Sequence, residues 1–517
     1  VSTIKIGVDV GGTNTDAVAV TAGGEVVLWH KTVTTPDVFG GIKEAIDAVL
    51  KGVGASEVKQ IMLGTTHPVN AVIRRKDLAS VGILRIAAPA TMSVPPLSSW
   101  PEDLAAIVGG HSAIVVGGHE YDGSEINPLD EEAVRRFAEE CAGKVDAVAA
   151  VGVTSPANPD HEVRAGAILA EVLGPDFPVT LGHEVGGLGL IERENSAILN
   201  AALTFVGREI VEGLRRAIAD HALDADLYVT QNDGTLLSAA EAMRRPILTI
   251  GSGPTNSMRG AAYLSGLADA IVVDVGGTST DVGLLVNGFP RESALAVEVG
   301  GIRTNYRMPD LISVGLGGGT IVRTEPALDI GPDSVGYRLT EEALVFGGRT
   351  PTLSDVSVRA GRAKFGAPEL ASSLDDATVA DAIAWVDNRF AVLADRIKAA
   401  RFDVPLVAVG GGSHLIPDRL PGVTEVLRHE HAAVANAIGA AIAEASGLVD
   451  RMFRFSDSSR EECIEEAKAM ATDEAIRAGA DPQHVRITTV NEIPMAYMPG
   501  DCARVQVKAV GPLLSTS

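Results

Sequence analysis

Cysteine is scarce in this chain of 517 residues: Cys141, Cys463 and Cys502 are the only three, and no two are close enough for a CxxC clip. A disulfide framework, a structural zinc site and a cysteine-held iron–sulfur cluster are therefore not expected, and reduced thiols suit a cytoplasmic setting. Long apolar runs are also missing, since none approaches the ~18–20 residues needed to cross a bilayer. The opening residues, Val1 to Ile6, lack the charged segment and long apolar core of a secretory signal. A soluble protein without a membrane partner is expected. Basic residues are outnumbered, 43 Lys and Arg against 67 Asp and Glu, for a formal charge of −24. Such a surface repels nucleic-acid backbones and anionic membranes. Any phosphate the chain binds must be held locally, by backbone amides or a metal ion.

What is present begins with length. At roughly 100–200 residues per domain, the chain has room for about three compact units. With 46% hydrophobic and 21% charged residues it reads as globular.

An internal repeat organises the chain. Residues 9–16 read Asp-Val-Gly-Gly-Thr-Asn-Thr-Asp, and residues 274–281 read Asp-Val-Gly-Gly-Thr-Ser-Thr-Asp. Each copy follows a short apolar run and precedes an alternating one, so each predicts strand, glycine turn, strand. A tight turn alone would explain one copy; two copies predict a duplicated pair of domains facing a shared cleft. An aspartate ending a strand puts a carboxylate at the cleft floor, where it can hold Mg²⁺ directly or through water. Two glycines let the backbone approach a phosphate and donate N–H groups to it. Thr13 and Thr278 add hydroxyls. No GxxxxGK[ST] sequence occurs, and each turn leads into a strand instead of a helix, which disfavours P-loop and Rossmann readings.

A third cluster, Gly410-Gly411-Gly412, follows the apolar strand Val404 to Val409. An amphipathic helix is expected from Ala432 to Ser446, on the spacing of Val434, Ile438 and Ile442. Strand, triple glycine and helix would set flat backbone against a purine and ribose.

Two DxGGT turns and a late GGG loop resemble the actin, sugar-kinase and heat-shock-chaperone ATPase superfamily. Within it, DVGGTNTD resembles the hydantoinase A / 5-oxoprolinase family, which also includes acetone carboxylase subunits. Gly64-Thr65-Thr66-His67-Pro68, Glu192-Arg193-Glu194-Asn195-Ser196, Gln231-Asn232-Asp233-Gly234, Ser252-Gly253-Pro254, Gly315 to Thr320 and Thr352-Leu353-Ser354-Asp355 are similar to that family too. The chain departs from it in length, being shorter than full-length members, in Asn14, where many carry an aromatic, and in His67, where many carry a small apolar residue.

The resemblance implies an α/β fold of two RNase H-like domains with ATP in a central cleft. The expected division is 1–190 with the first phosphate turn, 191–450 with the second turn and the adenosine loop, and a small α+β appendage at 451–517. It implies that Asp9 and Asp274 lie near Mg²⁺, and that Gly11, Gly12 and Thr13 with Gly276, Gly277 and Thr278 hold the phosphates, while Gly410, Gly411 and Gly412 border the adenosine. Asp16 and Asp281 are candidates for handling a proton or a metal-bound water, or else cap their turns. His67, at a strand-to-helix junction, is a candidate for the substrate side, or is satisfied by nearby backbone. Gly315 to Gly319 either borders the γ-phosphate or is a flexible connection. Gly117 to Glu120 and His183-Glu184 read as surface loops, and His429-Glu430-His431 is not expected to bind metal, because alternate residues of a helix do not share a face.

The activity implied is an ATP-dependent hydrolase that activates a cyclic amide (a hydantoin, a lactam or an oxoproline-like ring) by phosphoryl transfer to the amide oxygen. Such a chain pairs with a second hydantoinase-type subunit, and a homo-oligomer is a further arrangement it admits. An ATP-driven conformational or reactivating module, or a kinase of a small hydroxyl substrate, would share the same ATP site.

Along the chain, helices are expected at 41–53, from Glu131 with Asp130 as N-cap, at 192–220, at 378–401, and from a Ser458/Glu461 capping box to about Ala478, with strands near 485–490 and 504–510.

Overall fold

The computed structural model describes residues 3–11, 14–34, 38–293, 296–398, 401–455, 458–495 and 502–514. Both repeats fold as hairpins. Ile4–Val10 pairs antiparallel with Asn14–Thr21, and Ala270–Val275 pairs antiparallel with Thr280–Val286. Their registers match: Asp9 faces Asp16, and Asp274 faces Asp281. Directly opposed residues point to the same face of a sheet, so each hairpin presents two carboxylates side by side.

The first hairpin lies in a nine-stranded sheet. Outward from it on one side lies Val26–Val33. On the other come Val58–Thr65, Asp226–Thr230, Thr235–Ser238, Glu444–Arg454, Cys502–Gly511 and finally Arg486–Pro494. The second hairpin lies in a six-stranded sheet with Phe289–Pro290, Leu311–Val314, Val404–Val409 and Val423–Arg428. Residues 451–517 contribute to the first sheet: the expected boundary at 450/451 falls inside Glu444–Arg454, whose alternating burial matches its pairing with Cys502–Gly511. That pairing also shortens the helix expected over Ala432–Ser446 to Ala435–Ala441, because strand hydrogen bonds take the chain from Glu444 onward.

A third sheet was not foreseen. Gly109–Val116, Val81–Ala88, Ala147–Gly152 and Val179–Leu181 are all parallel. Val81–Ala88 and Ala147–Gly152 are buried at every position, as expected of parallel strands covered on both faces. Arg85 and Glu194, both wholly buried, tie this sheet to the helix Leu190–Ala202 through a bidentate pair at 2.6 Å.

Most local expectations hold with small shifts. Asp130 caps Glu131–Cys141, its carboxylate accepting from the Ala133 N–H. The helix expected at 192–220 is two, Leu190–Ala202 and Thr204–Asp220, broken at Leu203. The C-terminal capping box is one residue later, Ser459 with Glu462, ahead of the helix Arg460–Arg477. Doubled serines and glutamates allow either register, and the helix selects this one. No helix among the described residues is long and apolar enough to cross a membrane.

Two helices lie between the hairpin sheets, Ser252–Ser265 and Ala435–Ala441. They cross at glycines. A Cβ on Gly260 would collide with the Ala435 carbonyl, and one on Gly439 with the Asn256 carbonyl. That close approach brings polar side chains of both helices down onto the hairpin carboxylates.

Candidate functional site

The first hairpin's aspartates are almost sealed, Asp9 being 3% and Asp16 2% exposed. Asn256 donates to Asp9 Oδ1 at 3.0 Å, and Asn436 donates to Asp9 Oδ2 at 3.0 Å and to Asp16 Oδ2 at 2.8 Å. Lys31, opposite Asp16 on the neighbouring strand, donates to both Asp16 oxygens at 2.8 and 2.9 Å and to the Ala433 carbonyl at 3.1 Å. Burial pushes the Asp9 carboxyl up to about 7; the Asn256 and Asn436 donors oppose the rise, and the charges of Asp16 and Asp274 add to it.

The second hairpin is more open. Asp274 and Asp281 are each partly exposed. Burial raises both; Ser257 opposes the rise at Asp274, and Ser313 holds Asp281 to about 6. Ser313 faces Asp281 in register, where Lys31 faces Asp16 in the first copy, and its hydroxyl donates to Asp281 Oδ1. Asn256 and Ser257 are consecutive, so one helix bonds Asp9 with one residue and sets the next beside Asp274.

Both turns close identically, Gly11 N–H to the Asn14 carbonyl at 3.0 Å and Gly276 N–H to the Ser279 carbonyl at 2.9 Å. Carbonyls that would repel a phosphate are tied back. Gly11 O accepts from the Thr34 hydroxyl at 2.9 Å; Gly276 O and Gly277 O accept from Gly318 N–H and Gly319 N–H at 3.0 and 2.7 Å. Gly12 and Thr13 lie outside the described residues. Thr278 is exposed at the tip of the second turn.

The glycine segment Gly315 to Gly319 thus packs on the second turn as a fixed brace, and a Cβ on Gly317 would strike Gly276 and Gly277. Gly410 to Gly412 lies against the same turn. Gly412 N–H bonds the Val275 carbonyl at 2.8 Å, Gly410 has φ +85 and abuts Asp274, and Gly411 is exposed with open space beside it. The three glycine clusters of the second half converge on one wall.

His67 opens the helix His67–Arg74, beside Thr66, whose N–H bonds the Val10 carbonyl. Its buried Nε2 makes no hydrogen bond and lies 3.7 Å from Glu209. His119 and His183 are not in plain surface loops as expected: His119 is 4% exposed and packs on His161, and His183 bonds the buried Glu162 at 2.6 Å. Other singled-out motifs are structural. Asn195 accepts from the Trp100 indole, and Thr352 with Asp355 forms a buried capping box. Asn232 lines a separate cavity of about 1660 Å³ shared with Gly187, Arg307 and Arg504.

Lys31, Asn256, Ser257, Ser313 and Asn436 escaped sequence reasoning. The only signal was polarity out of place, as with Asn436 in an alanine run. Among the described residues, no three His, Cys, Asp or Glu converge to hold an ion alone. Two neighbouring carboxylates suit Mg²⁺, which takes few protein ligands and keeps water and phosphate as the others.

Comparison with known proteins bears on family and fold. A profile of the hydantoinase/oxoprolinase N-terminal region matches residues 5–173, and the hydantoinase/oxoprolinase profile matches residues 193–404. Caprolactamase subunit alpha of Pseudomonas jessenii is 27% identical over 407 residues, covering 70% of this chain and 55% of that protein. The acetophenone carboxylase gamma subunit of Aromatoleum aromaticum is 28% identical, over 69% of this chain and 53% of its own length. The chain thus spans about half the length of these curated relatives. The crystal structure of the ATP-dependent caprolactamase from Pseudomonas jessenii superposes with a TM-score of 0.77 at 21% identity, covering 99% of this chain and 89% of that one. The two chains share one fold.

Proposed function

Because the chain belongs to the hydantoinase/oxoprolinase family, we propose that it binds ATP between its two hairpins and transfers the γ-phosphoryl group to the oxygen of a cyclic amide. The observation that carries the reading is that Asn256 bonds Asp9 while the next residue, Ser257, sits beside Asp274, which supports matched phosphate turns facing one cleft. Backbone N–H groups of the turns hold the triphosphate, as a chain of charge −24 requires. Mg²⁺, when bound, would offset the phosphate charge from a place beside the hairpin carboxylates.

An amide carbonyl is a poor electrophile. In the proposed sequence its oxygen attacks the γ-phosphorus, ADP leaves, and an O-phosphorylated imidate results. Water then adds at the carbon, the carbon–nitrogen bond opens to leave a free amine and an acyl phosphate, and a second water cleaves the acyl phosphate to the amino acid and phosphate. The protein's share in the first step is positioning and electrostatic stabilisation. Asp281, which among the described residues accepts a side-chain bond only from a hydroxyl, is suited to orient water or take a proton; Asp16, paired with Lys31, is suited to hold the first hairpin. His67 follows Thr66, which bonds the end of the first hairpin's leading strand, so a place on the substrate side is part of the proposal. A lactam and acetophenone, named for the two relatives, both carry a carbonyl oxygen, so the reading extends to carbonyl compounds. We place the chain in the cytoplasm, with a second subunit completing the reaction as the relatives' subunit names suggest.

The test is a panel of hydantoins, lactams and ketones assayed for ADP, phosphate and ring-opened product, with and without the neighbouring gene's product. Ring opening with stoichiometric phosphate is expected. A phosphorylated product that persists would identify a kinase, and phosphate release without ring opening a conformational module.

A further inference from the structure

We infer that the two hairpins, though matched in sequence and register, divide their work: the divalent ion is carried by Asp274 and Asp281, while Asp9 and Asp16 are closed to direct coordination. This rests on the nucleotide reading above and assigns a side to the ion within it.

The difference lies in what each carboxylate already accepts. Both Asp9 oxygens take a carboxamide N–H, Oδ1 from Asn256 and Oδ2 from Asn436, each at 3.0 Å. An amide N–H only donates, so it cannot turn to make way for a ligand without breaking the bond. Both Asp16 oxygens are bonded by the Lys31 ammonium, and Asn436 shares one of them. A divalent ion there would face a fixed cation a few ångströms away, in a setting where charge is poorly screened. With 3% and 2% exposure, neither carboxylate has a free side turned to solvent.

The second hairpin inverts each of these features. Asp281 accepts from the Ser313 hydroxyl, and the group beside Asp274 is likewise a hydroxyl, that of Ser257. A hydroxyl both donates and accepts and rotates freely, so it can release the carboxylate or accept from a water on the ion. Among the described residues no side-chain nitrogen bonds either aspartate, and Lys31 acts on Asp274 only at longer range. The two carboxylates face each other across the strand pair, with Cβ atoms about 4.5–5.5 Å apart. That span suits one or two carboxylate contacts to an ion that keeps waters and phosphate as its other ligands.

The ion's position can be read without turnover. Manganese replaces magnesium, and the six-line resonance of free Mn²⁺ is recorded as the full chain is titrated with ADP present. Asp274→Asn and Asp281→Asn should each weaken Mn²⁺ binding at least about tenfold, whereas Asp9→Asn and Asp16→Asn should leave it within about threefold. Ser313→Lys, which copies the first hairpin's ammonium into the second, should weaken it as Asp281→Asn does and guards against misreading a folding defect. Equal losses in Asp9→Asn and Asp281→Asn, or no loss in Ser313→Lys, would overturn the division while leaving nucleotide binding intact. Wild-type protein that binds neither ADP by calorimetry nor Mn²⁺ would overturn the nucleotide reading along with it.

Discussion

Lys31 stands directly across from Asp16 on the adjoining strand and bonds both of its carboxylate oxygens, at 2.8 and 2.9 Å. Asp16 is 2% exposed, and the ammonium is the group that meets both of its carboxylate oxygens there. Lys31→Met should lower the unfolding free energy by about 2 kcal/mol in denaturant titrations. That is below the cost of breaking a wholly buried pair, because Lys31 is 28% exposed. An unchanged midpoint would show that the pair does not hold the hairpin.

Gly64 lies beside Asp9 in the parallel register, and a Cβ there would collide with Asp9 Oδ1 and Asn256 Nδ2. Gly64→Ala should therefore displace Asp9 and reduce ATP turnover about a hundredfold while circular dichroism stays native, since small misplacements are costly at a reacting centre. Wild-type turnover would remove Asp9 from the site.

Gly439 allows the helix Ala435–Ala441 to lie on the Asn256 carbonyl. Gly439→Val should cost about 3 kcal/mol by overpacking, and should loosen the first hairpin because Asn256 and Asn436, which bond its aspartates, ride on those helices. Thermal unfolding would register the loss, and a neutral substitution would contradict the close crossing.

Burial raises the Asp281 carboxyl to about 6, with Ser313 opposing and Asp274 reinforcing the rise. Below that pH a proton occupies the carboxylate and competes with a cation; above it the carboxylate is free. The apparent Mg²⁺ affinity in the presence of ADP should fall as pH drops through 6 and flatten above 7, and Asp281→Asn should remove most of the slope. A wild-type affinity that is flat between pH 5 and 7 would contradict this.

The hairpins were legible because everything that makes them is local: an apolar run, an aspartate, two glycines and an alternating strand within about twenty residues. The partners that set their chemistry were not. Asn256 and Asn436 reach Asp9 across 247 and 427 positions, and neither residue announces its target in one dimension. The third sheet was missed for a related reason, since parallel strands buried on both faces lack the period-two pattern and can be mistaken for buried helix. The strands after residue 451 were recognised as strands, but their place in the first sheet depends on pairing that only the folded chain reveals. The brace from Gly315 to Gly319 shows the same limit, because its two readings were separated by contact with Gly276 and Gly277.

Hydrogen exchange read by mass spectrometry, with and without a non-hydrolysable ATP analogue and Mg²⁺, tests the central claim most directly. The account predicts simultaneous protection of the peptides spanning 7–16 and 274–281, together with that spanning 410–412. Protection of one hairpin alone, or of neither while the analogue is bound, would contradict a single nucleotide held between them.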